Sequence, residues 1–336
     1  MGNMCMTIRM GDKPYQDLLR GWIFGLAIGN HITTIFLIPF LLIDIKKFRV
    51  SPISHLALRI FGLLAGLAIY LILPFRATQN PVINWLNPIN LSSFFQLISG
   101  QIYRSYFSIK FVIDHARAWA DILIENLSIP GVFIGLFSLL EFKKNREINL
   151  LTIWIFGVYG LFALFYVTND SYVYLIPTII AFSIWIGLGI GNICNLVSEK
   201  WQYTNWVLVT LMIGFFILRI YSALPDVNAS KDERAEIFGR SAFNSLPEGA
   251  LVFTADDQST FTLWYFHFAI KKRLDLKIIS EGLLKYEWYG QNLRTTYPSL
   301  KIPELSDLAP FKIIIQNPEY KFCFIDSEGE LKGNCS

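Results

Sequence analysis

The sequence predicts an α-helical polytopic membrane protein with a small C-terminal α/β domain outside the cytoplasm. Two observations carry that prediction: apolar runs long enough to cross a bilayer, and a sharp partition of charge. Of 336 residues, 53% are hydrophobic and only 16% charged, where an ordinary soluble domain carries about 25% charged residues. Yet 29 of the 55 charges, 13 basic and 16 acidic, fall after Pro225. The remaining two thirds are nearly uncharged, as lipid contact requires. The net charge of +3 and the absence of a basic cluster interleaved with aromatics argue against a nucleic-acid partner.

Five segments are predicted to span, at about residues 54–74, 126–142, 149–167, 172–197 and 205–224. The first, His55 to Pro74, gives roughly 30 Å of helix, enough for a hydrocarbon core. The second is short as an apolar run, and the sequence predicts that its helix starts earlier, within AWADILIENL. Ahead of them, residues 16–45 would make a helix of roughly 45 Å, too long for one span. With basic residues on both flanks, a short helical hairpin with Gly29-Asn30-His31 at its outer tip is favoured over a single tilted span. Lys46, Lys47 and Arg49, then Lys143, Lys144 and Arg146, mark two cytoplasmic loops by the positive-inside rule. That leaves residues 1–15 as a cytoplasmic stub, and puts the loop 75–125, the Asp170 loop and the tail 225–336 outside. Met1 to Met10 has neither the build of a signal peptide nor a spanning length, and the chain is read as having lost its beginning.

The tail alternates strand and helix. ALVFTADD, LDLKIIS, FKIIIQ and KFCFID read as strands, and STFTLWYFHFAIKK and YEWYGQNLRTTY as helices. Alternation of this kind predicts a small α/β layer with a parallel core. The four cysteines, Cys5, Cys194, Cys323 and Cys335, have no metal-ligand spacing. Cys323 and Cys335 share the tail and pair if it faces an oxidising compartment; two free thiols are the equal alternative.

The stretch LPFRATQNPVINWLNP, from Leu73 to Pro88, concentrates an Arg, three Asn and three Pro where the first span ends. Pro74 and Pro81 are expected to stop the helix. Arg76 then stands two residues past that stop, either as a bidentate clamp for a phosphate or as a side chain snorkelling to a headgroup. Asn80, Asn84 and Asn87 either bind sugar hydroxyls or form turns with their own backbone. Trp85 and Tyr103 belong to a set of interfacial aromatics. His31, the lone histidine within an apolar segment, is balanced between a functional role and a helix-tip hydrogen bond. Asp170, held between two spans and flanked by Tyr172 and Tyr174, reads as a supporting acid in preference to a general base. Asp114 and Asp121 share a helical face with Arg117, as a solvated stripe does. No residue is assigned as catalytic, and no metal ligands or cofactor site are identifiable.

LPFRATQNPVINWLNP followed by ISGQIYRSYF resembles the GT-C type membrane glycosyltransferases related to the protein O-mannosyltransferase of glycosyltransferase family 117. The likeness extends to GDKPYQDLLRGWIFGLAIGNHITTIFLIP, FYVTNDSYVYLIP and LPEGALVFTADDQSTFTLWYFH, and so covers nearly the whole chain from about residue 10. What the resemblance implies is a GT-C-like fold and transfer of a sugar from a polyprenyl-phosphate donor to a protein or glycan acceptor on the outer face. On that reading Arg76 holds the phosphate, Asn80, Asn84, Trp85, Gln101 and Tyr103 shape the sugar pocket, and His31 and Asp170 line it. Whether a divalent metal takes part stays open. Two departures stand out. Leu86-Asn87-Pro88 replaces the family's Gly-Asp-Pro, which removes a carboxylate. The further membrane segments and acidic first outer loop of the family do not precede Gln16. The chain therefore reads as the C-terminal part of such an enzyme, inactive alone and completed by a separate N-terminal half. The alternative is a non-catalytic membrane scaffold or lipid-binding subunit.

Overall fold

The computed structural model describes residues 14–42, 52–168, 170–198, 204–303, 308–326 and 335. The basic loop Lys46–Arg49, most of the N-terminal stub, Cys5 and Asn169 lie outside the described residues. In chain order, α1 (Pro14–Asn30) leads through His31 into a 3-10 helix, Ile32–Leu42. Next come α2 (Pro52–Leu67), a 3-10 turn Ala68–Leu71, α3 (Ile72–Ala77) and α4 (Leu91–Ile98). Then follow α5 (Val112–Leu127), α6 (Ile129–Ser138), α7 (Arg146–Phe165), α8 (Ile176–Ser198), α9 (Thr204–Val227) and α10 (Arg234–Ser245). The tail adds β1 (Leu251–Thr254), α11 (Asp257–Trp264), β2 (Lys277–Ser280), α12 (Glu287–Thr296), α13 (Pro310–Gln316) and β3 (Phe322–Ile325). These form two compact units, residues 1–71 with 98–220, and residues 72–97 with 221–336.

Among the described residues, four stretches are long and apolar enough to cross a membrane: Ile53–Ala77, Arg146–Phe165, Ser171–Leu196 and Val209–Ser245. None buries more than 33% of its most apolar window within the protein, so most of that surface needs an apolar solvent. In the first unit α1 and α2 approach at backbone distance through Gly21 and Gly25 on one helix and Gly62 and Gly66 on the other. A Cβ added at Gly66 would come within 2.8 Å of the Gly25 Cα, and one at Gly25 within 2.9 Å of the Gly66 Cα. Paired small-xxx-small faces of this kind are how helices associate where no hydrophobic effect separates them from lipid. Beside that contact Asp17 is buried, accepting from Arg59 Nε at 2.6 Å and lying 2.6 Å from His55 Nδ1.

Three expectations for the membrane region are corrected. Pro74 does not stop the first span, which runs on to Ala77. The proline lies in the first turn of α3, and the chain takes up the strain as the 3-10 turn Ala68–Leu71, where Pro74 would crowd the carbonyl of Tyr70. Arg76 consequently belongs to the last turn of α3 and does not follow it. Nor does the helix before Ser128 continue straight into the second span. Val112–Leu127 and Ile129–Glu141 meet at 93°, because Ser128 takes a positive φ of 62° and its side chain caps α6 at Gly131, with Pro130 in the first turn.

In the second unit the expected parallel core is present. The sheet has order β2-β1-β3, both pairings parallel, with Val252 opposite Ile278 and Cys323. β1 is buried along its whole length, as a central parallel strand should be. FKIIIQ was expected as a strand and is the helix α13. Pro310 starts it and Ile313 is its buried anchor, with Phe311 and Ile315 left exposed. Edge strand β3 is stapled by a Cys323–Cys335 disulfide.

Arg273 knots this unit together from a left-handed φ of 48°. Its guanidinium donates to the carbonyls of Phe243 and Pro247 and pairs with Asp275, which also accepts from the Gly249 N–H. The bond from Arg273 holds the Asp275 carboxyl well below the usual carboxylate range. Nearby, burial pushes the His267 imidazole below its ordinary value, and its Nδ1 lies 3.0 Å from the Arg273 carbonyl. Both shifts are downward, so both groups stabilise the fold at neutral pH and lose that contribution as pH falls. His267 begins to do so below about pH 6.5 and Asp275 below about pH 4. Melting of the full chain followed by tryptophan fluorescence should show two acid-side declines. His267→Gln should remove the first and leave the second.

Candidate functional site

The predicted site residues fall into two groups, one in each unit. In the first unit His31 occupies the break between α1 and the 3-10 helix. Its Nδ1 lies 2.7 Å from Thr33 Oγ1, and its ring meets Tyr174 edge-on at 5.7 Å. The 3-10 segment is held to α7 by Tyr159, which donates to the Thr33 carbonyl at 2.9 Å, and by Trp154, which donates to that of Phe36 at 2.7 Å. Tyr174 packs on Phe162 and Tyr166. Tyr166 in turn meets Tyr106, which stacks on Tyr103. A short antiparallel bridge between Phe107 and Tyr166 fixes this order, with Val167 N–H donating to the Tyr106 carbonyl at 2.8 Å. Asp170 is exposed at the start of the turn before α8, close enough for its charge to act on the phenols of Tyr166 and Tyr174. The structure thus brings His31 and Tyr103 to one chain of aromatic contacts, with Asp170 just before the turn that carries Tyr174. Gln101 starts the 3-10 turn that carries Tyr103, and is itself exposed. An open apolar groove of about 410 Å³ runs beside this cluster, lined by Phe36, Phe107, Ile109 and Phe162 among others.

In the second unit the segment after α3 is a set of tight turns. Asn80, Leu86 and Asn87 have φ of 49°, 57° and 41°, a region that Asn tolerates and Leu does not favour. Asn84 is buried and donates to the Ala77 carbonyl at 3.3 Å and to Asn87 Oδ1 at 2.9 Å. The turn-forming reading of Asn84 and Asn87 therefore holds locally. The side chain of Asn80 has no protein partner among the described residues. Arg76 is exposed and, among the described residues, its side chain meets only Gln79 Oε1, at 3.4 Å.

These turns are backed by α12. Thr296 Oγ1 donates to the Val82 carbonyl at 3.1 Å, Asn292 Nδ2 to that of Pro81 at 3.4 Å, and the Trp85 and Trp288 rings lie 5.2 Å apart. Between them is a polar pocket of about 140 Å³, lined by Asn80, Pro81, Asn84 and Asn87 from the turns and by Trp288, Gln291, Asn292 and Thr295 from α12. Arg76 does not line it. Sequence reasoning took YEWYGQNLRTTY for a helix and no more. The signal it passed over is the spacing of Trp288, Gln291, Asn292 and Thr295, which puts an aromatic and three polar side chains on one helical face. It also missed the Asp17–His55–Arg59 cluster, whose members are 38 and 42 residues apart in sequence.

Residues 235–314 match the family model described as TMEM260-associated domain 2, a stretch that includes all of α12. The mouse protein O-mannosyl-transferase TMEM260 is 19% identical over 224 residues, covering 63% of this chain and 30% of the relative. The Dictyostelium discoideum protein O-mannosyl-transferase tmem260 is 24% identical over 328 residues, 83% of this chain and 40% of the relative. The chain therefore spans less than half the length of these curated relatives. No solved structure matches it. Its motifs and both kinds of match agree that the chain resembles, at low identity, the O-mannosyltransferase-like GT-C proteins of the TMEM260 type.

Proposed function

We propose that the chain takes part in transferring a sugar from a polyprenyl-phosphate donor to a protein or glycan acceptor on the outer face of a membrane, with its tail outside the cytoplasm. The observation that carries this reading is the similarity over 83% of the chain to a protein named as an O-mannosyl-transferase. The geometry is compatible with it. In such a transfer the acceptor hydroxyl oxygen bonds to the anomeric carbon as the bond from that carbon to the phosphate oxygen breaks, and the hydroxyl proton passes to a base. Arg76, exposed and weakly engaged, is free to clamp the leaving phosphate with its planar fork. The apolar groove beside Phe107 and Phe162 offers surface to a prenyl chain. Within the second unit, Asn80, Asn84 and Trp85 are the candidates for contact with the sugar; within the first, His31, Gln101, Tyr103 and Asp170 make up a candidate cluster of its own.

The test is transfer of radiolabelled sugar from a polyprenyl-phosphate donor in proteoliposomes. It is run on this chain alone and together with the part of a full-length relative that the chain does not cover. Arg76→Lys keeps the charge and loses the bidentate geometry, and should weaken donor use about tenfold or more. Equal use of the donor by Lys and Arg would sink the clamp. Saturable donor binding without transfer in either preparation would support the non-catalytic lipid-binding reading in place of this one.

A further inference from the structure

We infer that the tail carries a site for the phosphodiester of an anionic glycerophospholipid, in a cavity between α10 and the chain that follows α11. A single π-helical turn, Tyr265–Ala269, continues α11 and leads into that chain. The cavity has a volume of about 350 Å³ and is lined by Arg240, Phe243, Asn244, Phe266, Lys272 and Arg273, three cations and no acid. Its floor is aromatic. Phe243 and Phe266 are both 5% exposed and meet edge to face at 5.9 Å. Phe266 packs so closely on α10 that a Cβ added at Gly239 would come within 2.4 Å of its ring. Lys271 and Arg273 take left-handed φ of 59° and 48°. Between them, Lys272 holds its ammonium 5.4 Å from the centre of the Phe266 ring.

Arg273 gives the cavity charge but no donor, because its guanidinium is taken up by the carbonyls of Phe243, Leu246 and Pro247 and by Asp275. The other polar groups are open. Arg240 spends Nε and Nη2 on Glu236, one turn earlier, and its Nη1 has no acceptor among the described residues. The Lys272 ammonium and the Asn244 carboxamide have no hydrogen-bond partner among them either. Setting Glu236 and Asp275 against the three cations leaves one net positive charge, which suits a monoanionic phosphodiester. What surrounds the cavity selects a lipid over a free anion. Ile237 stands one turn before Arg240, and Ile270 and Leu274 stand two residues either side of Lys272; they are 62%, 42% and 64% exposed. Cations set among exposed aliphatic side chains are the composition of a surface that sits in a membrane interface. The bilayer is within reach. The apolar helix α9 ends at Val227 and α10 begins at Arg234, a separation that extends to roughly 25 Å at most. The headgroup phosphate would take Lys272, Arg240 and Asn244, and the glycerol and upper acyl carbons would cover Ile237, Ile270 and Leu274.

The inference goes beyond the proposed reaction and needs only that α9 crosses the bilayer. The ligand is a bulk glycerophospholipid, and the cavity shares no residue with the candidate sites above. The experiment is titration of the purified full chain in nonionic detergent with dioctanoyl phosphatidylglycerol, read by line broadening in phosphorus NMR. Dioctanoyl phosphatidylcholine, glycerol 3-phosphate and inorganic phosphate are run beside it. Saturable binding of phosphatidylglycerol in the submillimolar range is expected. Phosphatidylcholine should bind more weakly, since its choline brings a cation towards Lys272 and Arg240. Lys272→Gln alters an exposed side chain and should weaken phosphatidylglycerol about 3- to 10-fold without changing the melting temperature. Leu274→Ser should weaken the lipid by a similar factor and leave glycerol 3-phosphate unaffected. Lys285→Gln, outside the cavity, is the matched control and should change nothing. Equal binding by wild type and Lys272→Gln would overturn the inference and reduce the lipid to annular contact. Inorganic phosphate binding as tightly as phosphatidylglycerol would overturn it as well and leave a free-anion site. Sugar transfer, present or absent, bears on neither outcome.

Discussion

Replacing Gly25 with leucine should abolish stable folding of the first unit. A side chain there would run into the Leu63 carbonyl and come within 2.9 Å of the Gly66 Cα, and both are backbone atoms of α2. Backbone cannot rotate aside as a flexible side chain can, so the two helices must separate. Separation would also cost the contacts at Gly21 and Gly62, which meet the opposite backbone in the same way. A loss above about 4 kcal/mol is expected, in the range reserved for gross steric conflict. The readout is thermal unfolding in detergent together with the monodisperse fraction on size exclusion. Gly214→Ala is the matched control, since a Cβ there meets nothing within 4 Å. It should stabilise the helix by roughly 0.5–1 kcal/mol through backbone entropy. A Gly25→Leu protein melting within a few degrees of wild type would mean that α1 and α2 do not pack as described.

The second large effect concerns charge. Asp17 and Arg59 are 3% and 1% exposed and form an ion pair at 2.6 Å across the α1–α2 contact. Asp17→Leu removes a carboxylate that pairs with a buried guanidinium and should destabilise the protein by about 3–5 kcal/mol. Arg59→Met should cost a similar amount for the converse reason. The double variant Asp17→Leu/Arg59→Met removes both desolvated charges, and should recover most of the loss. A double-mutant cycle measured by thermal unfolding reads the coupling directly. Additive losses would show that the pair is not energetically linked, and that His55 and Arg20, which also approach Asp17, neutralise it unaided.

What the sequence disclosed, it disclosed through periodicity and charge. Apolar runs marked all four long candidate spans because their composition is extreme over more than 18 residues. In the tail, the alternation of strand-like and helix-like stretches marked β1, β2 and β3. FKIIIQ misled because a run of three isoleucines favours strand by side-chain type. Its outcome was decided by Pro310 at the helix start and by a neighbourhood able to bury only Ile313. Pro74 misled for the opposite reason: a rule about helix interiors was applied to a residue that the structure places in a first turn. The site was half legible. Arg76, Asn80, Asn84 and Trp85 draw attention as polar and aromatic residues at the end of an apolar run. Trp288 and Asn292 come more than 200 residues later in an ordinary-looking helix, and only folding sets them against Pro81 and Trp85. The glycine faces of α1 and α2 went unread because each looks like ordinary membrane composition until the partner is known.

The Cys323–Cys335 bond makes the tail a witness to its own biosynthesis. A chain whose last hundred residues matured among reducing thiols would keep both sulfurs open to alkylation, whereas one that crossed into an oxidising lumen would hide both. The mass of the C-terminal peptide, taken after blocking free thiols in the cell and before any reductant is added, therefore tells a translocated tail from a stranded one without an engineered tag. Cys323 closes an edge strand and is 1% exposed. The seal should thus persist through extraction and purification, and the peptide should carry that history to the bench.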